Sequence, residues 1–211
     1  MNSPDYQGAR RYAVHRLQDD LAAIMTYHSI VHTLDEVVPA AERLAGLEGL
    51  NGIDVLLVRT AALFHDLGYI ESSTNHELVS IEIARRVLPD YGYDTTQVDA
   101  VASMILATRL PQSPKNLLEQ VLADADLDIL GRENFLARNQ DLRNELKALG
   151  RTYSDADWYR NQRDFLFNHH YHTSSARSLR DAQKKKNLSV LDRLLRASMN
   201  SFDRPGFTGS A

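Results

Sequence analysis

Cysteine is missing from this chain altogether. That excludes disulfide staples and thiolate metal sites, so any bound metal must rest on imidazole nitrogen and carboxylate oxygen. Long apolar runs are missing too, and no window approaches the roughly eighteen residues that a membrane span requires. The opening MNSPDYQGARRYAVHRLQDD has no continuous apolar stretch and does not read as a secretion signal, so the expected location is the cytoplasm. Neither sign of charge dominates, with 24 Lys and Arg against 28 Asp and Glu and a net charge of −4. This balance argues against a nucleic-acid groove or a polybasic membrane contact. The one basic run, Lys184-Lys185-Lys186, is short.

What is present has helical spacing almost throughout. Leu17, Leu21 and Ile24 recur at that spacing, as do Ile30, Val31, Leu34, Val37 and Val38. Asp54 to Phe64 is dense in apolar residues and suits a helix buried on most sides. Asn75 is the expected cap of a helix running through Ile81 to Leu88, which Pro89 and Gly92 end. Thr95 or Thr96 is the expected cap of the next, which carries Val98, Val101, Met104 and Ile105. Further helices are expected over Leu117 to Leu130, Phe135 to Leu149, Asp155 to about Asn168, and Leu188 to Leu195. Strand-like alternation is nearly absent. The expected fold is all-α: one compact helical bundle over residues 1–150, C-terminal helices over 151–201 packing on it as an annex, and a flexible tail over 202–211.

Three stretches carry chemistry. In Tyr27-His28-Ser29-Ile30-Val31-His32-Thr33-Leu34-Asp35, His28 and His32 would share one face of a helix. In Ala61-Ala62-Leu63-Phe64-His65-Asp66-Leu67-Gly68-Tyr69, two polar residues interrupt an apolar helix at its end, where a cation would compensate their burial. In Asp124-Ala125-Asp126-Leu127-Asp128, alternating acids on an apolar helix call for a positive partner.

In this order the three stretches resemble the HD-domain superfamily, whose signature is a His, then a His-Asp pair, then a distant Asp. The chain looks closest to the small bacterial proteins described as predicted metal-dependent HD phosphohydrolases. The likeness extends through YHSIVHTLDEV, AALFHDLGY, NHELVS, ADADLDILGR and FLFNHHYHTSSARSLR. It implies an HD-domain helical bundle in which His32, His65, Asp66 and Asp126 hold a divalent ion, with Mn, Fe, Ni, Zn and Mg all compatible. Asp66 would also orient the attacking water. A similar Tyr-His-x-x-x-His-x-x-Asp pattern in cyclic-nucleotide phosphodiesterases implies His28 as proton donor to the leaving oxygen. Relatives with two metals carry further histidines. Here only His76 stands between the pair and Asp126, as a second metal ligand or phosphate contact, and Leu106-Ala107-Thr108-Arg109 occupies the place of another. One metal is the expectation, with His76 leaving room for a second. Thr108 and Asp124, or Asp128 in its place, are expected to support the ligands from behind.

The resemblance implies hydrolysis of a phosphate mono- or diester, with a small phosphorylated substrate, a nucleotide foremost, as partner; a homo-oligomer is compatible with the sequence. The competing readings are a regulatory module that binds a phosphorylated ligand without turnover and a di-iron oxygenase, the latter disfavoured by the shortage of histidines. For the cluster His169-His170-Tyr171-His172 a second metal site is outweighed: His169 and Tyr171 are expected to pack or to bind near the site mouth, while His170 and His172 face elsewhere. Arg177, Arg180 and the triple Lys read as a solvated helix face. Trp158, Tyr159 and Phe165 read as core.

Overall fold

The computed structural model describes residues 4–202, with side chains through Asn200. Asp5 accepts from the Gly8 N–H and so opens α1 (Tyr6–Asp19). A wide π-helical turn over His32–Val37 leads directly into α2 (Val38–Leu47). Then follow α3 (Gly52–Phe64), α4 (His76–Val87), α5 (Thr95–Thr108) and α6 (Leu117–Asp126). The chain closes with α7 (Phe135–Ala148), α8 (Asp155–Asn168) and α9 (Ser174–Phe202). No strand occurs among the described residues, and the fold is all-α as expected.

The apolar density of α3 makes it the axis of the core. Leu57, Val58 and every residue from Thr60 to Phe64 are buried, against partners that include Ala9, Ala13, Leu44, Val101, Ile105 and Leu122. Its C-terminus therefore lies deep in the molecule, which is where His65 and Asp66 follow. A smaller cluster of Ile129, Leu130, Phe135, Leu166 and Leu191 joins the end of the α6 region to α7, α8 and α9, so it draws on both sides of residue 150. Trp158 is buried and donates its indole N–H to Asn139 at 2.9 Å.

Several boundaries differ from the sequence reading. α5 is capped by Asp94, not Thr95 or Thr96: its carboxylate accepts from Gln97 N–H at 2.9 Å while the Gln97 side chain accepts from Asp94 N–H. α6 stops at Asp126, and a 3-10 turn over Asp128–Gly131 replaces the expected run to Leu130. The last helix is far longer than Leu188 to Leu195, because its polar early turns pack through Ala176, Arg180 and Asn187. Phe202 ends that helix, and the rest of the expected tail lies outside the described residues. No helix among the described residues is long and apolar enough to cross a membrane.

Candidate metal centre

His65 and Asp66 follow the last turn of α3, and Asp126 ends α6, so two helix C-termini and their partial negative charge meet at one place. His32 enters from the π-turn. The ligand atoms of His32, His65 and Asp66 lie within 4.8 Å of one another. His32 Nε2 stands 3.6 Å from Asp66 Oδ2 and 3.4 Å from Asp126 Oδ1. His65 Nε2 stands 3.2 Å from Asp66 Oδ2 and 3.4 Å from Asp126 Oδ1. Ligands about 2.1 Å from one shared cation stand roughly 3.0–3.5 Å apart. His32, His65 and Asp66 fit a divalent ion, and Asp126 Oδ1 stands 3.4 Å from both imidazoles beside them.

His32 Nε2, His65 Nε2 and Asp66 Oδ2 are buried and close, yet none is aligned to hydrogen bond. The other ring nitrogens are engaged: His65 Nδ1 donates to Ala62 O at 2.8 Å, and His32 Nδ1 meets Glu36 Oε2 at 3.1 Å. Fixing Nδ1 this way presents Nε2 to the ion.

Electrostatics agree. Burial alone would lower His32 and His65, but Asp126, Glu36 and Asp66 raise the first, and Asp66 and Asp126 raise the second well above the ordinary imidazole range. Burial alone would raise Asp66 and Asp126, but the imidazoles hold Asp66 well below the carboxylate range and Asp126 down to about 2. Protons thus stand in for the cation, which must displace them to bind. Metal affinity should therefore rise with pH through and above the ordinary imidazole range, as the raised imidazoles lose their protons more readily. Titration calorimetry in buffers of different ionisation enthalpy checks this, and binding without net proton release would contradict it.

His28 does not lie on the helix that carries His32. It sits in a bend before that helix, because Glu145 of α7 takes the backbone N–H groups of Tyr27 and His28 at 2.8 and 3.0 Å. The same carboxylate meets His28 Nδ1 at 2.5 Å. Burial would raise Glu145, but His28 and the two N–H groups hold it below the usual range. His28 Nε2 faces Tyr69 Oη at 3.2 Å. Tyr69 also lies nearly parallel to His76, 4.0 Å between ring centroids, and His76 Nε2 is 3.4 Å from Asp66 Oδ1. Gly68 permits this approach, since a β-carbon there would collide with the His76 carbonyl oxygen.

Sequence reasoning missed Glu145, Glu36 and Arg138. The Arg138 Nε lies 2.9 Å from Glu36 Oε1, behind His32, and its NH2 donates to Tyr27 O at 2.9 Å. Arg138 and Glu145 stand at i and i+7 on α7, so one helix face backs both His32 and His28.

Three expected supports are placed elsewhere. The Asp124 carboxylate accepts from the backbone N–H groups of His172 and Thr173 and from the Thr173 hydroxyl, at 2.7–2.8 Å. Asp128 is held by Arg132 and Arg180 and faces Arg43. Thr108 turns its hydroxyl back to Ile105 O at 2.8 Å, as a helical Thr commonly does. Arg180 is thus internal and not part of a solvated face. His169 is half-buried against Lys184; burial, and then the Lys184 charge, push it down to about 3, and it shares no metal cluster with His170 or His172 among the described residues.

Residues 29–128 match the family model of the HD domain. Over those residues the chain carries an HD domain. The match contains His32, His65, Asp66 and Asp126, starts just after His28 and ends on Asp128, so Glu145 and Arg138 lie outside it. An uncharacterized protein of Clostridium beijerinckii is 32% identical over 85 residues, which is 39% of this chain and 53% of that one, so the match spans about half its length. Solved structures share the fold. A predicted HD superfamily hydrolase from an uncultured Thermotogales bacterium superposes with a TM-score of 0.60 at 19% identity, covering 94% of each chain. Bacillus subtilis YpgQ, solved in complex with ADP, gives 0.62 at 19% identity, covering 92% of this chain and 97% of that one. A Lactobacillus plantarum protein gives 0.64 at 16% identity, covering 93% and 96%.

Proposed function

We propose that this HD-domain protein is a metal-dependent phosphohydrolase that cleaves a phosphate mono- or diester, with a nucleotide as substrate. The observation that carries the reading is the convergence of unpartnered His32 Nε2, His65 Nε2 and Asp66 Oδ2 beside a carboxylate-anchored His28. A pure binding module has no use for that anchored imidazole. The ADP bound to YpgQ supports the nucleotide class.

His32, His65, Asp66 and Asp126 would hold the ion, which when bound supplies an acidified water and polarises a phosphoryl oxygen. Asp66 Oδ1 faces His76 and would accept a hydrogen bond from the attacking water. His76 would meet a phosphoryl oxygen or a second ion. As water adds to phosphorus, the bond to the leaving oxygen breaks, and His28 Nε2 delivers a proton to that oxygen. Tyr69 Oη occupies the position in front of His28 Nε2, so the leaving oxygen would have to displace it or approach beside it.

The test is to purify the protein, measure bound metal by mass spectrometry, and screen phosphate release from a nucleotide panel with Mn, Mg, Ni and Zn. Bound metal and release from at least one nucleotide are expected. Failure to take up any of the metals would overturn the metal reading, and metal without turnover would favour the regulatory module. Glu145→Gln tests the His28 anchor separately. It should keep the metal and cost about tenfold or more in turnover, a fraction of what a positioned acid contributes. Unchanged turnover of poor leaving groups would show that the anchor plays no catalytic part.

A further inference from the structure

The three alternating acids at the end of α6 are divided between two tasks. Asp126 faces the two imidazoles, while its neighbours on either side face the C-terminal helices. Asp124 is fully buried and receives three bonds from His172 and Thr173, at the entry to α9. Asp128 accepts two bonds from Arg180 of α9, at 2.6 and 2.9 Å. The backbone between and beyond them is held as well. Tyr171 donates its hydroxyl to Leu127 O at 3.2 Å, and Asn187 donates to Leu130 O and Arg132 O, both at 2.9 Å. At Gly131 a β-carbon would come within 2.5 Å of Arg180 Cβ and 2.7 Å of Arg180 O, so α9 rests on bare backbone there.

We propose that the segment from Tyr171 through α9 is a positioning element for the metal centre, setting the aim of Asp126 through Asp124, Leu127 and Asp128. The inference rests on the metal reading above. Its physical basis is leverage. Asp126 is the last residue of α6, and the helical pattern past it is carried only by a long bond from Leu127 N–H to Ala123 O, at 3.4 Å, before a short 3-10 turn begins. The following turn is short, and a small rotation there would swing the carboxylate away from His32 and His65. Contacts to Asp124 on one side and to Leu127 and Asp128 on the other remove that freedom. The HD match ends at Asp128, so the element that aims the last ligand lies beyond the matched domain.

Co²⁺ is the probe, because its visible absorption reports ligand geometry independently of turnover. The full chain is compared as wild type, Arg180→Met, Arg180→Lys, Tyr171→Phe and Tyr93→Phe. The last removes a core hydroxyl that meets Thr60 at 2.7 Å, away from the 124–132 segment, and controls for stability alone. Arg180→Met should weaken Co²⁺ binding about tenfold to a hundredfold, the range for losing a residue that orients a metal ligand, and should alter the spectrum with helical content unchanged. Arg180→Lys should recover part of the affinity. Tyr171→Phe should weaken binding by a smaller factor, and Tyr93→Phe should lower the melting midpoint but not the affinity. By linkage, Co²⁺ should also slow amide exchange in α9 of the wild type. Wild-type affinity and spectrum in both Arg180→Met and Tyr171→Phe would overturn the proposal; should Arg180→Met fail to fold, Tyr171→Phe decides. A wild type that takes up no Co²⁺ would instead sink the metal reading itself.

Discussion

Asp66→Ala should yield a folded protein that no longer retains metal and no longer releases phosphate. Asp66 is the hub of the centre: Oδ2 lies 3.2 Å from His65 Nε2 and 3.6 Å from His32 Nε2, and Oδ1 lies 3.4 Å from His76 Nε2. Losing a residue that merely orients a ligand costs about tenfold to a hundredfold in metal affinity, so losing the ligand itself should cost more than about a hundredfold. Turnover should fall by about a thousandfold or more, because the same change removes the ion and the acceptor for the attacking water. Stability moves separately. The depressed Asp66 carboxyl contributes stability present above its unfolded pKa and lost as pH falls through its folded one. Near neutral pH the variant should therefore melt below wild type, by less if His32 and His65 shed their protons. Asp66→Asn keeps the shape and removes the charge, so it should lose metal with a milder change in melting. Metal analysis and circular dichroism check both variants, and unchanged metal content in Asp66→Ala would contradict the assignment.

How much of this could be read beforehand follows from what burial does to residue types. His65 and Asp66 stand out because they interrupt an apolar run, and so does Asp126 among Val121, Leu122, Ala123 and Ala125. The helices announce themselves by spacing, and α8 begins and ends where the pattern predicts. Glu145 and Arg138 do not stand out, because α7 is polar along much of its length and its inward charges look like its outward ones. Only their partners, more than a hundred residues away in the chain, tell them apart. The placement of His28 on a helix failed for the same reason. A distant carboxylate captures its N–H, and local spacing carries no record of that. The acids at 124 and 128 show the converse error: their demand for positive partners was legible, but it is met by backbone N–H groups and arginines instead of ligand imidazoles. Arg180 looked like a solvated charge because nothing in its own neighbourhood names Asp128.

His28→Ala should separate proton delivery from metal binding. His28 approaches no member of the converging set as a ligand; its Nδ1 is held by Glu145 and its Nε2 faces Tyr69 Oη. The variant should therefore hold as much metal as wild type. A positioned general acid contributes about a hundredfold to ten-thousandfold, and only where the leaving oxygen needs its proton. Poor leaving groups, such as an alkyl or ribose alkoxide, should slow within that range, while nitrophenolate should slow by less than about tenfold. The ratio between the two classes is the diagnostic, because a general loss of fit would slow both alike. Equal slowing would remove His28 from the acid's role and leave it as a contact that orients substrate. If the ratio changes as expected, Glu145→Gln should move it in the same direction and by less, since the carboxylate acts on the leaving group only through the ring it holds.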